Sequence, residues 1–188
     1  FNMQEDGMKE ITDASDYFVT KRKKDVNGAA LSVIKEGSRI LVVEVEALVS
    51  KSFTPYPQRI GDSLRKDQLN TLISILEERA GMNMYDKNVI IKTTGGIKIQ
   101  EQSVNLSIIM AIASSLMNKP IPSDVVFIGE VGLTGEIKRV PQIETRLKEI
   151  ERLGYKKVYI SQNTKLTQKY DLEIKQFDSI RSVISDIF

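Results

Sequence analysis

Hydrophobic residues recur along this chain at two spacings, one typical of strands and one typical of helices. Short apolar or partly alternating runs predict seven strands: Ala30–Lys35, Arg39–Val49, Asn88–Thr94, Ile97–Gln100, Val125–Val131, Lys157–Ile160 and Leu172–Gln176. The first two strands are joined at Glu36-Gly37-Ser38, where glycine and serine favour a turn.

Longer apolar segments predict helices at Ser63–Ala80, Val104–Met117 and Ser179–Phe188. Asp62 or Ser63 can cap the first helix, and Gly81 can end it. The second helix is almost wholly apolar, so it must be buried on most of its sides. Strands and helices mixed in this order predict an α+β fold with the layers of an α/β sandwich.

One glycine-rich stretch organises the second half of the chain: Phe127-Ile-Gly-Glu-Val-Gly-Leu-Thr-Gly-Glu-Ile-Lys-Arg-Val-Pro-Gln-Ile-Glu-Thr-Arg-Leu-Lys-Glu-Ile-Glu-Arg-Leu-Gly154. It predicts a strand, a tight turn, a second strand and then a helix. The helix should begin near Pro141, because proline lacks only a donor that the first helical turn leaves unpaired anyway. Gly154 suits the left-handed position just after a helix end. By spacing alone, this unit can be purely structural, with no catalytic or binding role.

Charge is distributed unevenly along the 188 residues. Residues 1–20 carry five acids and one lysine, and we interpret them as an acidic linker or arm with a short strand at Phe1–Met3. Residues 21–188 then form one domain with six surplus positive charges, beginning with Lys21-Arg22-Lys23-Lys24. Such a surplus suits either ordinary solubility or contact with phosphates. The chain begins without Met, so we expect a piece of a longer protein.

The composition excludes several kinds of chemistry. With no Cys and no His in the chain, cysteine and histidine metal sites and a Ser-His-Asp triad are excluded. No G-x-x-x-x-G-K-[ST] phosphate-binding loop is present. A nucleophile would have to be a Ser or Thr activated by Lys, or a carboxylate. No apolar run reaches membrane-spanning length and no secretory signal is present, so we expect no membrane partner. The lack of Cys is compatible with a reducing cytoplasm.

Seven stretches, spread over nearly the whole chain, match one known pattern: Phe1-Asn-Met-Gln-Glu-Asp-Gly7, Leu41–Leu48, Pro57–Arg59, Gly95-Gly96-Ile-Lys98, 104–117, 127–140 and Gly154-Tyr-Lys-Lys157. In this pattern the chain resembles the C-terminal region of the bacterial DNA-repair proteins of the RadA (Sms) family. The likeness is most specific at Gly129–Gly135. It implies a fold similar to the proteolytic domain of Lon proteases and to the second domain of a small-subunit ribosomal protein.

The resemblance further implies a cytoplasmic, hexameric, ATP-driven DNA motor that acts on recombination intermediates. ATP, magnesium and zinc would be bound by upstream parts of such a protein. We expect no cofactor and no metal in this chain itself. Other recombination proteins are further expected partners.

The Lon resemblance also identifies where a reactive pair would lie. Lon-type proteases use a serine just before the buried helix and a lysine at the start of the helix after the glycine turn. Val104 and Glu144 stand at these two positions here. We therefore expect no peptidase activity. The alternative is a shifted dyad formed by Ser103 and Lys148, one helical turn past the expected lysine, in an active serine–lysine peptidase.

The sequence thus favours a non-catalytic scaffold domain of a DNA-repair ATPase, one that assembles into a hexameric ring and binds DNA without sequence preference. A module that only binds proteins is a third hypothesis. The predicted phosphate contacts are Arg22, Lys23, Arg59, Arg65, Lys66, Lys138 and Arg139. Cations at the start of the first predicted helix oppose its dipole, which hints at an anionic partner. Since few aromatics accompany these bases in the sequence, base stacking is not expected to dominate.

Overall fold

The computed structural model describes residues 2–4, 7–9 and 14–188, with side chains from residue 14 onward. In chain order the strands are β1 Asn2–Gln4, β2 Gly7–Lys9, β3 Ala29–Glu36, β4 Arg39–Lys51, β5 Arg59–Gly61, β6 Lys87–Thr93, β7 Val125–Phe127, β8 Glu130–Val131, β9 Ile137–Lys138, β10 Lys157–Ser161 and β11 Glu173–Phe177. The helices are α1 Lys66–Ala80, α2 Asn105–Met117, α3 Ile143–Arg152 and α4 Ile180–Ile187.

Seven strands form the central sheet in the order β11-β10-β7-β3-β4-β6-β5. Strand β4 runs antiparallel to both of its neighbours, and the other four pairings are parallel. Two short hairpins lie outside this sheet, one formed by β1 and β2 and one by β8 and β9. The sheet is therefore mixed but mostly parallel.

Helices cover both faces of the central sheet, which places two apolar cores on either side of it. Helices α1, α2 and α4 pack on one face, where α2 contributes its residues from Leu106 to Ala113 to the larger core. Helix α3 packs on the other face through Leu147 and Ile150. This layering confirms the predicted α/β architecture and the burial of the second helix.

The structure differs from the prediction at two strands. Residues 97–100 are not a strand, and the backbone N–H of Ile99 instead donates to the Ser63 carbonyl at 2.8 Å. The predicted strand Val125–Val131 is split, because the chain leaves the sheet after Phe127. There the N–H of Gly129 donates to the Ser103 carbonyl at 2.9 Å, which fixes the chain against the start of α2.

The predicted start of two helices is also wrong by two or three residues. Arg65, not Asp62 or Ser63, precedes the first turn of α1, and no side chain caps it. The Ser63 hydroxyl is used elsewhere, at 2.7 Å from that of Thr93. Pro141 lies before α3 rather than inside its first turn, because Gln142 adopts a left-handed φ of 54° between them.

The segment before Lys21 packs against the domain where it is described. The Ser15 hydroxyl accepts the N–H of Val42 at 3.1 Å, and the Phe18 carbonyl accepts that of Glu44 at 2.8 Å. These bonds satisfy the backbone N–H groups of Val42 and Glu44 on the side of β4 where β6 pairs only from Val45 onward. The expected boundary at residue 20 therefore falls inside a packed segment. Phe1, in the strand predicted at Phe1–Met3, lies outside the described residues.

Candidate functional site

The position predicted for a nucleophile lies in the core at the start of α2. The Val104 side chain is completely buried, and its carbonyl accepts the hydroxyl of Ser107 at 2.8 Å. A branched hydrocarbon offers no lone pair to attack a substrate. Ser107 is a buried packing residue whose hydroxyl donates to the helix backbone.

The position predicted for a lysine points toward a different part of the molecule. Glu144, in the first turn of α3, accepts hydrogen bonds from the backbone N–H of Thr167 and from its hydroxyl, the latter at 2.7 Å. The backbone N–H of Thr167 is the main cause that lowers the pKa of Glu144, followed by the hydroxyl. Glu144 thus fixes the loop between β10 and β11.

A polar cluster does form beside Val104, from Ser103 and two residues that the sequence analysis did not select. The Ser103 hydroxyl donates to Glu101 Oε2 at 2.7 Å, and Arg146 Nη2 lies 2.9 Å from the same oxygen. Glu101 Oε1 accepts the backbone N–H of Lys35 at 2.9 Å. Arg146 is only 4% exposed, and its Nη1 donates to the Val33 carbonyl at 2.7 Å. We call Glu101, Ser103 and Arg146 the interior cluster.

The alternative dyad of Ser103 and Lys148 is not brought together. Lys148 follows Arg146 by two residues, which rotates it by about 200° around the helix. Because Arg146 points inward to Glu101, Lys148 faces away and is exposed. The cation near Ser103 is therefore a guanidinium.

The hydrogen bonds of the interior cluster already engage the carboxylate that a general base would have to supply. A general base must accept the proton that a nucleophilic hydroxyl loses. The Glu101 oxygen that receives the Ser103 hydrogen bond also lies against Arg146, so protonating it would leave the buried guanidinium without its charge partner. One sequence signal could have found the cluster, since Arg146 interrupts the apolar positions Ile143, Leu147 and Ile150 on the inner face of α3.

Two of the predicted phosphate contacts lie at the end of the small hairpin of β8 and β9, Lys138 as the last residue of β9 and Arg139 directly after it. Lys138 Nζ is 3.8 Å from Glu130 and 3.9 Å from Glu136, both long and half-exposed ion pairs. Arg139 is exposed, and no carboxylate between residues 14 and 188 forms an ion pair with it. An open depression beside both residues is also lined by Gln162 and Asn163. This surface offers cationic and amide donors to an anion, beside the carboxylates of Glu136 and Asp178 that also line the depression.

Three further predicted contacts lie around the start of α1. Lys66 is exposed and has no ion-pair partner in the described part of the chain, and Arg65 pairs only loosely with Asp67 at 3.5 Å. Arg65 borders a groove that is also lined by Lys98 and Gln102.

The third of these contacts, Arg59, is half-buried at the edge of the sheet. It donates to the Met84 carbonyl at 3.4 Å, which is a long hydrogen bond. Its charge is therefore not neutralised by this contact.

The remaining two predicted contacts are adjacent in sequence but different in use. Arg22 Nη2 lies 2.9 Å from Glu44 and 2.9 Å from Glu46, and the Glu44 side chain is only 2% exposed. The hydrogen bond to Glu44 is the main cause that raises the pKa of Arg22. Lys23 is exposed. Arg22 is thus committed to a buried carboxylate, and only Lys23 is available to a ligand.

The described residues contain no group of three or more acidic, His or Cys side chains positioned to hold a metal ion. Over the same residues, no helix is long and apolar enough to cross a membrane.

The comparison with known families places these features in context. A family model described as subunit ChlI of Mg-chelatase matches residues 61–164, which is more than half of the chain. The chain belongs to this family. The matched region runs from β5 to the loop after β10, so it includes α1, the interior cluster and the glycine-rich unit. The sequence still lacks a phosphate-binding loop, so family membership does not assign a nucleotide site to these residues.

Individual relatives agree on a single name. The DNA repair protein RadA of Streptococcus pneumoniae is 33% identical over 190 residues, which is 100% of this chain and 45% of that protein. The protein of the same name from Haemophilus influenzae is 36% identical over 160 residues, or 85% of this chain and 35% of that protein. That of Pseudomonas aeruginosa is 37% identical over 160 residues. The chain spans less than half the length of these relatives.

Proposed function

We propose that this chain is a non-catalytic, Lon-like scaffold domain of a DNA-repair protein, and that it binds DNA through phosphate contacts without sequence preference. The observation that carries the proposal is the similarity, over the whole of this chain, to part of a protein named DNA repair protein RadA. Exposed cations without a tight ion-pair partner, among them Lys66 and Arg139, give that similarity a physical means of contact.

The remainder of the proposal follows the family resemblance. The domain would assemble into a hexameric ring beside an ATPase domain that lies outside this sequence. ATP, magnesium and zinc would be bound there, and none of them by this chain. The whole protein would act in the cytoplasm as a DNA motor together with other recombination proteins.

The test is fluorescence anisotropy with a labelled duplex and the complete 188-residue chain. A variant with Arg65→Ala, Lys66→Ala and Arg139→Ala should lose about tenfold in affinity at low salt, and its salt dependence should become shallower. Arg39→Ala is the matched control, because Arg39 is an exposed cation at the turn between β3 and β4, outside the proposed contacts. Equal affinity of the triple variant and the control would contradict the proposed contacts.

An active serine–lysine peptidase remains the alternative, and Ser103 near a carboxylate and a cation is the observation in its favour. Hydrolysis of a fluorogenic peptide, compared with Ser103→Ala and Lys148→Ala, separates the two functions. The scaffold proposal predicts no turnover above background. Turnover that both substitutions abolish would overturn it.

A further inference from the structure

Three aromatic side chains are unusually exposed at one end of the central sheet. Phe53 is 94% exposed and Tyr56 86% in the loop after β4, and Tyr85 is 78% exposed in the turn before β6. Phe127 and Tyr159, by contrast, stack in the core with their ring centres 5.1 Å apart. Large exposed rings grouped on one surface usually indicate a binding site.

The fold brings these residues together although they are distant in the sequence. The N–H of Ser52 donates to the Asp86 carbonyl at 2.7 Å, and that of Gln58 donates to the Asn88 side chain at 2.8 Å. These bonds join the loop after β4 to the turn before β6 at both ends of the loop. Phe53, Tyr56 and Tyr85 therefore lie on two adjoining segments.

The loop that carries two of the rings is held in one conformation. The Ser52 hydroxyl donates to the Thr54 carbonyl at 3.0 Å, and the Thr54 hydroxyl donates to the Tyr56 carbonyl at 3.1 Å. Pro55 and Pro57 flank Tyr56 and fix their own φ angles. A ligand would thus meet a loop whose backbone is already ordered, so little backbone conformational entropy is lost on binding.

The charge around the rings is positive and largely uncompensated. Residues 47–61 contain Lys51 and Arg59 and no acid, and residues 82–92 add Lys87 and Lys92 against Asp86, for a net charge of +3. Asp86 forms its ion pair with Lys87. No carboxylate among residues 14–188 forms an ion pair with Lys51 or Arg59. The charge of this surface therefore suits an anionic partner.

The adjoining sheet surface is apolar and uncovered. Leu48 on β4, Ile90 on β6 and Ile60 on β5 lie side by side in register. Leu48 is 61% exposed and Ile60 is 47% exposed. The second core, on the face that α3 covers, includes Val42 of β4 but no residue of β5 or β6, so this part of the sheet face is left uncovered. Apolar sheet faces with aromatic side chains can accept unpaired bases.

We propose that Lys51, Phe53, Tyr56, Arg59 and Tyr85, here called the aromatic edge, bind single-stranded DNA. Bases stack on the three rings, and phosphates pair with Lys51 and Arg59. Duplex DNA fits less well, because its bases are already stacked on each other. The inference rests on the proposed DNA-binding function and adds to it the form of DNA and the site. It also revises the expectation from the sequence that base stacking does not dominate, because the fold brings together rings that are distant in the sequence.

The first test compares two labelled probes by fluorescence anisotropy with the complete chain. One is oligo(dT) of about 16 nucleotides, and the other is a base-free oligonucleotide of equal length and charge. Because both carry the same phosphates, only stacking distinguishes them. We expect the chain to bind oligo(dT) at least about tenfold more tightly.

The second test changes the rings one at a time. Phe53→Leu, Tyr56→Leu and Tyr85→Leu each keep an apolar side chain and remove the flat ring. Each should weaken oligo(dT) binding by about tenfold and leave binding of the base-free probe unchanged. Leu133→Ala is the matched control, because Leu133 is 71% exposed on the β8–β9 hairpin and should not affect either probe. Melting curves of the ring variants should coincide with wild type, since exposed rings add little to stability.

The outcomes separate this inference from the function on which it rests. Equal binding of the two probes, with ring variants that bind like wild type, overturns the aromatic edge and leaves phosphate binding by other residues intact. Absence of binding to any DNA overturns both. Ring variants that alter self-association in light scattering, but not DNA affinity, would show that the surface binds a second copy of the chain instead.

Discussion

The interior cluster and the aromatic edge use polar groups in opposite ways. In the cluster, the carboxylate of Glu101 is bonded by Ser103, Arg146 and a backbone N–H, and Arg146 also bonds the Val33 carbonyl. At the edge, Lys51 and Arg59 have no ion-pair partner within residues 14–188, and three rings face solvent. The polar groups of the cluster are bonded within the protein, whereas the cations and rings of the edge are open to a ligand.

The difference indicates which region stabilises the fold and which one serves a partner. Buried polar groups must be paired internally, because leaving one unpaired costs about 1–3 kcal/mol of folding free energy. Exposed cations and rings are not under that constraint and gain free energy by meeting an anion with unpaired bases. A substitution in the cluster should therefore change stability alone, and one at the edge should change binding alone.

The largest effect should come from removing the cation of the interior cluster. Arg146→Met leaves Glu101 without its charge partner and should lower the free energy of unfolding by about 3 kcal/mol. The melting temperature should fall by about 6–12 °C for a chain of this size. Thermal and urea unfolding measure the change. Lys148→Met, exposed on the same helix, should stay within about 0.5 kcal/mol of wild type.

A double variant sharpens this prediction. Adding Glu101→Leu to Arg146→Met removes the uncompensated carboxylate and should recover part of the lost stability. If Arg146→Met were as stable as Lys148→Met, the interior cluster would not be the structural element that we infer.

A smaller loss of stability is expected for substitution of Arg22, and none for substitution of its neighbour Lys23. Arg22→Met leaves the buried Glu44 with hydroxyl donors only and should cost about 2 kcal/mol of unfolding free energy, as for hydrogen bonds to charged groups. Lys23→Met should leave stability unchanged and weaken DNA binding slightly. Urea unfolding and anisotropy on both variants measure the two effects. The opposite assignment, with Lys23→Met destabilising, would contradict the contacts of Arg22.

The smallest effect concerns the pH dependence of stability. Hydrogen bonds from Thr167 lower the pKa of Glu144 below its ordinary 4.5 in the folded state. The stabilisation they bring is present above the ordinary pKa and is lost as the pH falls through the lower, folded-state pKa. Glu144→Gln should therefore be less stable than wild type near neutral pH, with a difference that shrinks in acid.

Urea midpoints measured from neutral to acid pH test this prediction. Glu78→Gln serves as the control, because the exposed Glu78 carboxylate makes no hydrogen bond within the described residues. A difference between Glu144→Gln and wild type that grows as the pH falls would show that the sign is wrong.

Much of the fold was predictable from the sequence because its signals are local. Periodicity placed β3, β4, α2 and α4 within about two residues, and Gly81 and Gly154 marked helix ends by their left-handed backbone. The failures at residues 97–100 and at the start of α1 arose from tertiary hydrogen bonds of Ser63, which sequence patterns do not reveal.

The sites were less predictable, for the same reason. The absence of a Lon-type dyad at Val104 and Glu144 could be read directly from residue types. The pairing of Glu101 with Arg146 joins residues 45 positions apart, and the aromatic edge joins two loops that are separated by α1. Only the folded chain shows that Arg22 forms ion pairs with Glu44 and Glu46, and that Lys51 and Arg59 form none within residues 14–188.

The central claim is that this domain binds DNA by neutralising phosphates, and salt dependence tests it most directly. The affinity of the complete chain for a duplex should be measured between low and moderate salt. If Arg65, Lys66 and Arg139 each neutralise one phosphate, log affinity should fall against log salt with a slope of about −3. A slope near zero, or no binding at the lowest salt, would contradict the account.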